Sequence, residues 1–357
     1  MTSMELGDAL DSLAEEWEEL AEAAGASPFL RPGWFELWWR AFGSGESCVL
    51  SVSREGTLVG VLPLIRHGRI LASMANDHTP RFDLLAADDG ATLELSRALV
   101  ALGPQRVTLE YLRAGGPGLR SVREAAVSAG YRPVIRDWER PPFVALEGDW
   151  DAYERSLDGK LRRDLARRRR RLDEEGVVTF DVEDGAESLD ELLKEGFALE
   201  PSGWKASAGT AIISRPETRE FYTGLARWAA QRGILRLCFL RLDGRPLAFQ
   251  LGLEDARAYY FVKGGYDPAY ARFAPMKLLL RSVVQNTFED GLARFEFLGP
   301  PDPFKLEWTS TCHDLKRLEL FDRSLPSTGA WAAAAFGRPA AKKIKALARQ
   351  SRRLRAR

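Results

Sequence analysis

Several polar residues in the second half of the chain stand where packing alone explains them poorly. Glu200 closes an amphipathic segment, Ser188 to Leu199, and is followed by Pro201 and Trp204. A carboxyl in such a partly apolar neighbourhood has its pKa raised toward the range a general base needs. Lys205, beside Trp204, suits an acceptor carboxylate or phosphate. Gln250 interrupts the apolar run Ala248 to Leu253, so it either reaches a partner or faces a wet cleft. Lys263 ends the run Tyr259 to Val262 on the alternation phase of Tyr259 and Phe261, with Tyr266, Asp267 and Tyr270 just downstream. Plainer readings stand beside these: a surface carboxylate for Glu200, an exposed lysine for Lys205, turn chemistry for Gly209 and Thr210. None of the three histidines, His67, His78 and His313, sits in a nucleophile-elbow motif. The chemistry on offer is proton abstraction and anion binding for a direct transfer, without a covalent enzyme intermediate. Cys48, Cys238 and Cys312 are far apart and lack metal-ligand spacing, so no metal is expected.

The elements that position these residues alternate. Tyr259 to Lys263 reads as a strand, then a polar-aromatic loop leads to an amphipathic helix opened by Pro275, and Arg294 to Leu298 is a second strand. A loop entering a helix N-terminus beside a strand end offers free N–H groups and a positive dipole end, which suits a pyrophosphate or another anion. The first half reads helix (Leu6 to Ala24), helix (Pro32 to Phe42), three strands, helix, strand, helix and two strands, the last being Phe143 to Leu146. A similar order returns in the second half, where Leu315 to Phe321 is expected to close the sheet.

Four segments in this order, FALEPSGWKASAGTAI (197–212), FLRLDGRPLAFQLGL (239–253), KGGYDPAYARFAP (263–275) and FEFLGPPDPFKLEW (295–308), resemble the CelD-type, FemAB-like branch of the GNAT acyltransferases. The resemblance implies a mixed α/β (α+β) fold of two tandem GNAT-like domains. It implies N-acyl transfer from acyl-CoA, with acetyl-CoA the expected donor, to an amine of an envelope glycan, lipid or related precursor, with Glu200 as base. It makes Lys263 and Asp267 part of the reacting site, and Trp204, Lys205, Gln250, Tyr266, Tyr270 and Lys305 substrate contacts. The family's glycine-rich pyrophosphate loop is replaced by ARFAPMK (271–277), where Arg272, Phe273, Ala274 and Lys277 would meet the donor and the two cations would stand in for glycine N–H groups. FemAB relatives use aminoacyl-tRNA, so that donor stays open, as does a non-catalytic scaffold of the same fold.

With 357 residues, 45% of them hydrophobic, two domains with sizeable cores are expected. The boundaries fall at 1–148, a basic linker helix at 149–176, 177–324, and a tail at 325–357. Lys/Arg and Asp/Glu balance at 51 each, but the segment Pro326 to Arg357 holds nine Lys/Arg and no carboxylate. Its aromatic start (Trp331, Phe336) and basic, thinly amphipathic remainder point either to a peripheral anchor on an anionic membrane or to a solubilising tail, with tRNA a third partner. The linker carries Leu157, Leu161, Leu165 and Leu172 as one stripe and eight Lys/Arg between Lys160 and Arg171. It is either a solvated helix or a cationic wall for phosphates. No signal peptide or run of about twenty apolar residues appears, and a cytoplasmic location is expected.

Overall fold

The computed structural model describes residues 2–6, 9–199 and 215–337. The strands in chain order are β1 (Thr2–Leu6), β2 (Glu46–Arg54), β3 (Thr57–His67), β4 (Ile70–Ser73), β5 (Leu85–Ala86), β6 (Arg106–Arg113), β7 (Arg132–Asp137), β8 (Phe143–Ala145), β9 (Val178–Glu183), β10 (Leu235–Leu242), β11 (Arg245–Glu254), β12 (Ala258–Tyr266), β13 (Arg294–Glu296) and β14 (Leu315–Phe321). They form two mixed sheets. The first runs β1-β2-β3-β4-β6-β14-β7 with β5 paired to β3, and the second runs β8-β13-β12-β11-β10-β9.

Each sheet contains one parallel pair that lasts three residues: Ile70–Ala72 with Arg106–Thr108 in the first, Ala258–Tyr260 with Arg294–Glu296 in the second. In both, a helix fills the crossover, Asp89–Ala101 and Pro275–Glu289 respectively. This is the expected repeat of two GNAT-like units, but its strands are traded. The compact units are Met1–Phe35, Gly43–Trp138 and Asp314–Arg357 on one side, and Glu36–Phe42 with Glu139–His313 on the other. β8, expected to end the first half, lies antiparallel to β13 in the second sheet. β14, expected to close the second sheet, enters the first between β6 and β7. The boundaries near 148 and 324 therefore differ from the observed divisions at 138/139 and 313/314. Period-two patterning reveals a strand and its buried face without naming its neighbour.

The helix expected from Leu6 is preceded by a strand, Thr2–Leu6, in register with Cys48–Val52 of β2. The helical pattern holds only afterwards, where Ala14–Ala23 buries Trp17, Leu20 and Ala21. The basic stretch forms two helices of the second unit, Trp150–Ser156 and Gly159–Asp173, and is no separate linker. The longer one is capped by Asp158, whose carboxylate accepts from the Lys160 N–H at 2.6 Å. Its Leu161, Leu165 and Leu172 are buried against helix Pro275–Glu289 and the adjoining sheet face, together with Tyr259, Phe261, Phe295 and Phe297. In the first unit Trp331 is taken up by protein: the Arg132 guanidinium lies 4.8 Å from its ring centroid and Phe336 meets it edge-on at 5.6 Å. Phe336 is exposed. Among the described residues no helix is long and apolar enough to cross a membrane. The basic segment from residue 338 onward lies outside the described residues.

Candidate functional site

The site is built where β12 and β13 part. β12 runs to Tyr266 along β11, whereas β13 leaves it after the Tyr260–Glu296 pair, and the next residue, Phe297, donates its N–H to Pro142 O at 3.0 Å on the β8 side. Beyond the last pair β12 carries a bulge: Phe261 pairs with Gly252 and Lys263 with Leu251, leaving Val262 without a partner in the ladder. Close packing here demands Gly264, because a Cβ would sit 2.8 Å from the Phe261 ring and 2.9 Å from Phe249 O.

The bulge changes the face on which Lys263 stands. Tyr259 and Phe261 point into the core under helix Pro275–Glu289, but the Lys263 ammonium lies 5.1 Å over the ring of Tyr222, on helix Pro216–Gln231. The alternation phase inferred from sequence fails here because one residue is inserted. Tyr266 and Tyr270 pack against the core on the opposite side, so Lys263 is separated from both. Asp267 caps its own turn, accepting from the Ala269 N–H at 2.9 Å, and pairs with Arg245 at 2.7 Å. Its oxygens are thus engaged in holding the loop.

Gln250 resolves to a core residue. It is wholly buried, and its Oε1 accepts from Tyr259 Oη at 2.9 Å; Tyr259 Oη is also 3.6 Å from Cys238 Sγ. Gln250 Nε2 has no partner among the described residues. Burial pushes the Cys238 thiol up to about 12 and the Tyr259 phenol well above its ordinary range, so neither serves acid–base chemistry near neutrality. The expected substrate contact at Gln250 is instead a tie between two central strands.

Lys305 is likewise spoken for. Its buried ammonium donates to Leu298 O at 2.8 Å and Pro300 O at 2.9 Å and pairs with Asp302 at 3.1 Å. It shapes the turn after β13, in which Leu298 and Gly299 both have positive φ. Two carbonyls and the Asp302 carboxylate take up the ammonium, so the expected substrate contact at Lys305 is instead a clamp on this turn.

The donor loop keeps its cations at the surface. Arg272 pairs with Glu175 at 2.9 Å, Phe273 is buried, and Ala274 takes left-handed φ/ψ of 49° and 55° just before Pro275. That conformation is the one a glycine would accept without strain. Helix Pro275–Glu289 has no side-chain cap. Facing it, helix Gly159–Asp173 lines a groove of about 1020 Å³ with Lys160, Arg163, Arg167, Arg168 and Arg170, completed by Lys277 and by the acids Asp158, Asp164 and Glu307. Arg167 and Arg168 pair with Asp164, Arg168 at 2.7 Å, and Arg168 also donates to Arg272 O at 2.6 Å. Burial alone would raise the Asp164 carboxyl, but the hydrogen bond from Arg168 and the charges of Arg168 and Arg167 hold it low. Lys277 pairs with Glu307 at 2.5 Å. Six cations against three carboxylates suit the phosphates of a carrier held by side chains more than by backbone.

Glu200, Trp204 and Lys205 lie outside the described residues. Sequence reading missed Glu296 and His313. Glu296 is completely buried on β13 and its Oε2 is 2.7 Å from His313 Nε2, while the His313 ring stacks on Phe143 at 4.3 Å and 15°. The signal was present, since Glu296 stands between Phe295 and Phe297 as Gln250 stands among apolar neighbours. Among the described residues no group of three or more His, Cys, Asp or Glu is placed to hold a metal.

A family model described as an acetyltransferase (GNAT) domain matches residues 159–306, most of the second unit. Solved structures with the same fold cover nearly the whole chain. The C-terminal domain of a protein from Agrobacterium fabrum described as a lysylphosphatidylglycerol synthetase superposes with a TM-score of 0.56 at 16% identity, over 91% of this chain and 96% of its own. The L-PGS of Bacillus licheniformis gives 0.55 at 17% identity over 88% and 94%, and FemX gives 0.55 at 12% over 86% and 95%. No curated protein matches the chain. The chain is thus a mixed α/β protein of two sheets, and residues 159–306 of its second unit match a GNAT domain.

Proposed function

We propose that the protein is an N-acyltransferase of the GNAT type, passing an acyl group from acyl-CoA, with acetyl-CoA the first donor to test, to an amine carried by an envelope glycan, lipid or related precursor. One observation carries the reading: the parallel pairing of β12 and β13 ends after three residues, and the uncapped helix Pro275–Glu289 that follows β12 contributes Lys277 of its first turn to a groove of six cations. In this reading Lys160, Arg163 and Lys277 hold the carrier's phosphates, and the acyl arm runs into the gap between the strands. Val262, outside the ladder, offers its N–H to the carbonyl oxygen as charge develops there. The acceptor approaches on the face of Lys263 and Tyr222 and attacks directly, because the carbonyl is held for it.

A second reading, an aminoacyl-tRNA donor, draws on the cation-rich groove, on Ala274 in place of a loop glycine, and on the fold shared with FemX and with proteins named for lysylphosphatidylglycerol synthesis. Thermal shifts with acetyl-CoA, a long-chain acyl-CoA and aminoacyl-tRNA separate these, since stabilisation follows binding by mass action. A rise with an acyl-CoA alone, followed by amide formation on an amine acceptor, supports the first reading. A rise with tRNA alone replaces it with the second, and no rise with any of them favours a non-catalytic scaffold. The basic segment after residue 337 is proposed to hold the protein at an anionic membrane surface, which flotation with anionic and neutral liposomes at low and high salt tests directly.

A further inference from the structure

Glu296 is a carboxylate with no exposed surface, set in a strand beside the candidate site. It is the last residue of β13 to pair with β12, so it stands at the point where the strands part. Phe295 and Phe297 on either side point under helix Pro275–Glu289, which leaves Glu296 on the opposite face, where Lys263 also stands. Its Oε2 bonds His313 Nε2 at 2.7 Å. Its Oε1 pairs with Arg294 Nε at 3.2 Å. The carboxylate itself is sealed, with no exposed surface, while the His313 side chain keeps 12% of its own. Of the two groups only the imidazole can meet a substrate. A carboxylate acceptor at Nε2 places the proton there and leaves the Nδ1 lone pair available, and the stack on Phe143 fixes the plane of the ring.

We propose that His313 is the base of the transfer and that Glu296 is its positioning residue, a proposal that rests on the acyltransferase reading. As the neutral amine attacks the carbonyl carbon and the C–N bond forms, its nitrogen gives a proton to Nδ1. The bond from that carbon to the carrier's sulfur or oxygen breaks with its electron pair, and the imidazolium returns the proton to the leaving atom. One proton thus moves from nitrogen to leaving atom through the ring, which ends neutral.

The test is the pH dependence of turnover in the full-length protein, with whichever donor the thermal-shift panel selects. Wild type should show an ascending limb that reports the free base. His313→Asn should lower kcat roughly 100-fold with the donor-induced thermal shift unchanged, and should lose that limb. Glu296→Gln, which keeps the size of the side chain, should lower kcat about tenfold and displace the limb while leaving the donor-induced thermal shift unchanged, because the ring loses the acceptor that fixes its tautomer. The Gln variant decides the matter if the Asn variant does not fold. Unchanged profiles in both variants overturn the assignment, as does a Glu200→Gln variant that alone abolishes the limb. A wild type that transfers from none of the donors overturns the acyltransferase reading itself, and the assignment with it.

Discussion

The two sheets each offer a strand gap followed by a helix N-terminus, and they treat it in opposite ways. In the first unit the gap after β4 is bridged, the Glu110 N–H donating to Ser73 Oγ at 3.2 Å. The helix that follows is closed by Asp88, whose carboxylate accepts from the Ala91 N–H at 2.7 Å and pairs with Arg54 at 2.8 Å, with Asp89 next to it. Backbone N–H, dipole and cation are all satisfied from within. In the second unit the corresponding helix starts at Pro275 behind a left-handed alanine, has no side-chain cap, and faces a groove with more cations than acids. A repeated fold can therefore keep one copy for its packing and leave the other open for chemistry, and capping is what distinguishes them.

The largest expected effect tests that asymmetry. Replacing both Arg163 and Lys277 by Glu should weaken donor binding roughly 100-fold by calorimetry, since two charge-assisted contacts are reversed, whereas Arg54→Ala in the first unit should leave it unchanged. If the Arg54 variant loses donor binding as well, the comparison fails. Next in size, Lys305→Met strands a buried carbonyl, Leu298 O, and a part-buried one, Pro300 O, in the turn after β13 and should cost about 2 kcal/mol in denaturant unfolding. A variant of normal stability but impaired turnover would return Lys305 to the reacting site.

The first unit makes a pH prediction of its own. Burial raises the Asp83 carboxyl to about 7, against the lowering effects of the Leu84 N–H and of Arg113 and Arg81. A raised folded-state pKa means that the native protein holds a proton the unfolded chain releases. Its contribution is complete below the ordinary aspartate range and is lost as pH rises toward 7. Asp83→Asn should flatten the fall in Tm over that interval. The Gly118 site shows how tightly the carboxyl is held, since a Cβ there would lie 1.9 Å from Asp83 Oδ1. The smallest effect expected is a gain: Ala274→Gly should stabilise by about 0.5–1 kcal/mol by relieving left-handed strain, and should tighten donor binding if backbone approach to a phosphate matters.

Much of this organisation was legible in the residues. The strand and helix around Tyr259 and Pro275 and the leucine stripe of the basic helix follow from periodicity and punctuation, and the structure places them accordingly. The facing of Lys263 did not follow, because a bulge is one uncounted residue and every side chain beyond it turns over. Lys305 and Gln250 look reactive by type, yet their partners are a backbone turn and a tyrosine on a neighbouring strand, which only tertiary structure brings to them. His313 was passed over because it has no local motif: its carboxylate partner lies 17 residues away on a strand.

The exchange of β8 and β14 has a consequence for how the protein is made. On a ribosome the chain emerges from its N-terminus, and the strand that sits between β6 and β7 is the last of the fourteen to appear. Until Leu315–Phe321 leaves the exit tunnel, β7 has no partner in its own sheet, although 177 residues separate the end of β7 from that strand. The second sheet has no such wait, since β8 is already present when β13 arrives. The later half of the sequence can thus close first, and the earlier half must stay incomplete through most of translation. That interval leaves unpaired strand edges for a chaperone to cover. A nonsense mutation just before Leu315 would spare the strands of the sheet bearing the candidate site and still break the sheet that begins the protein.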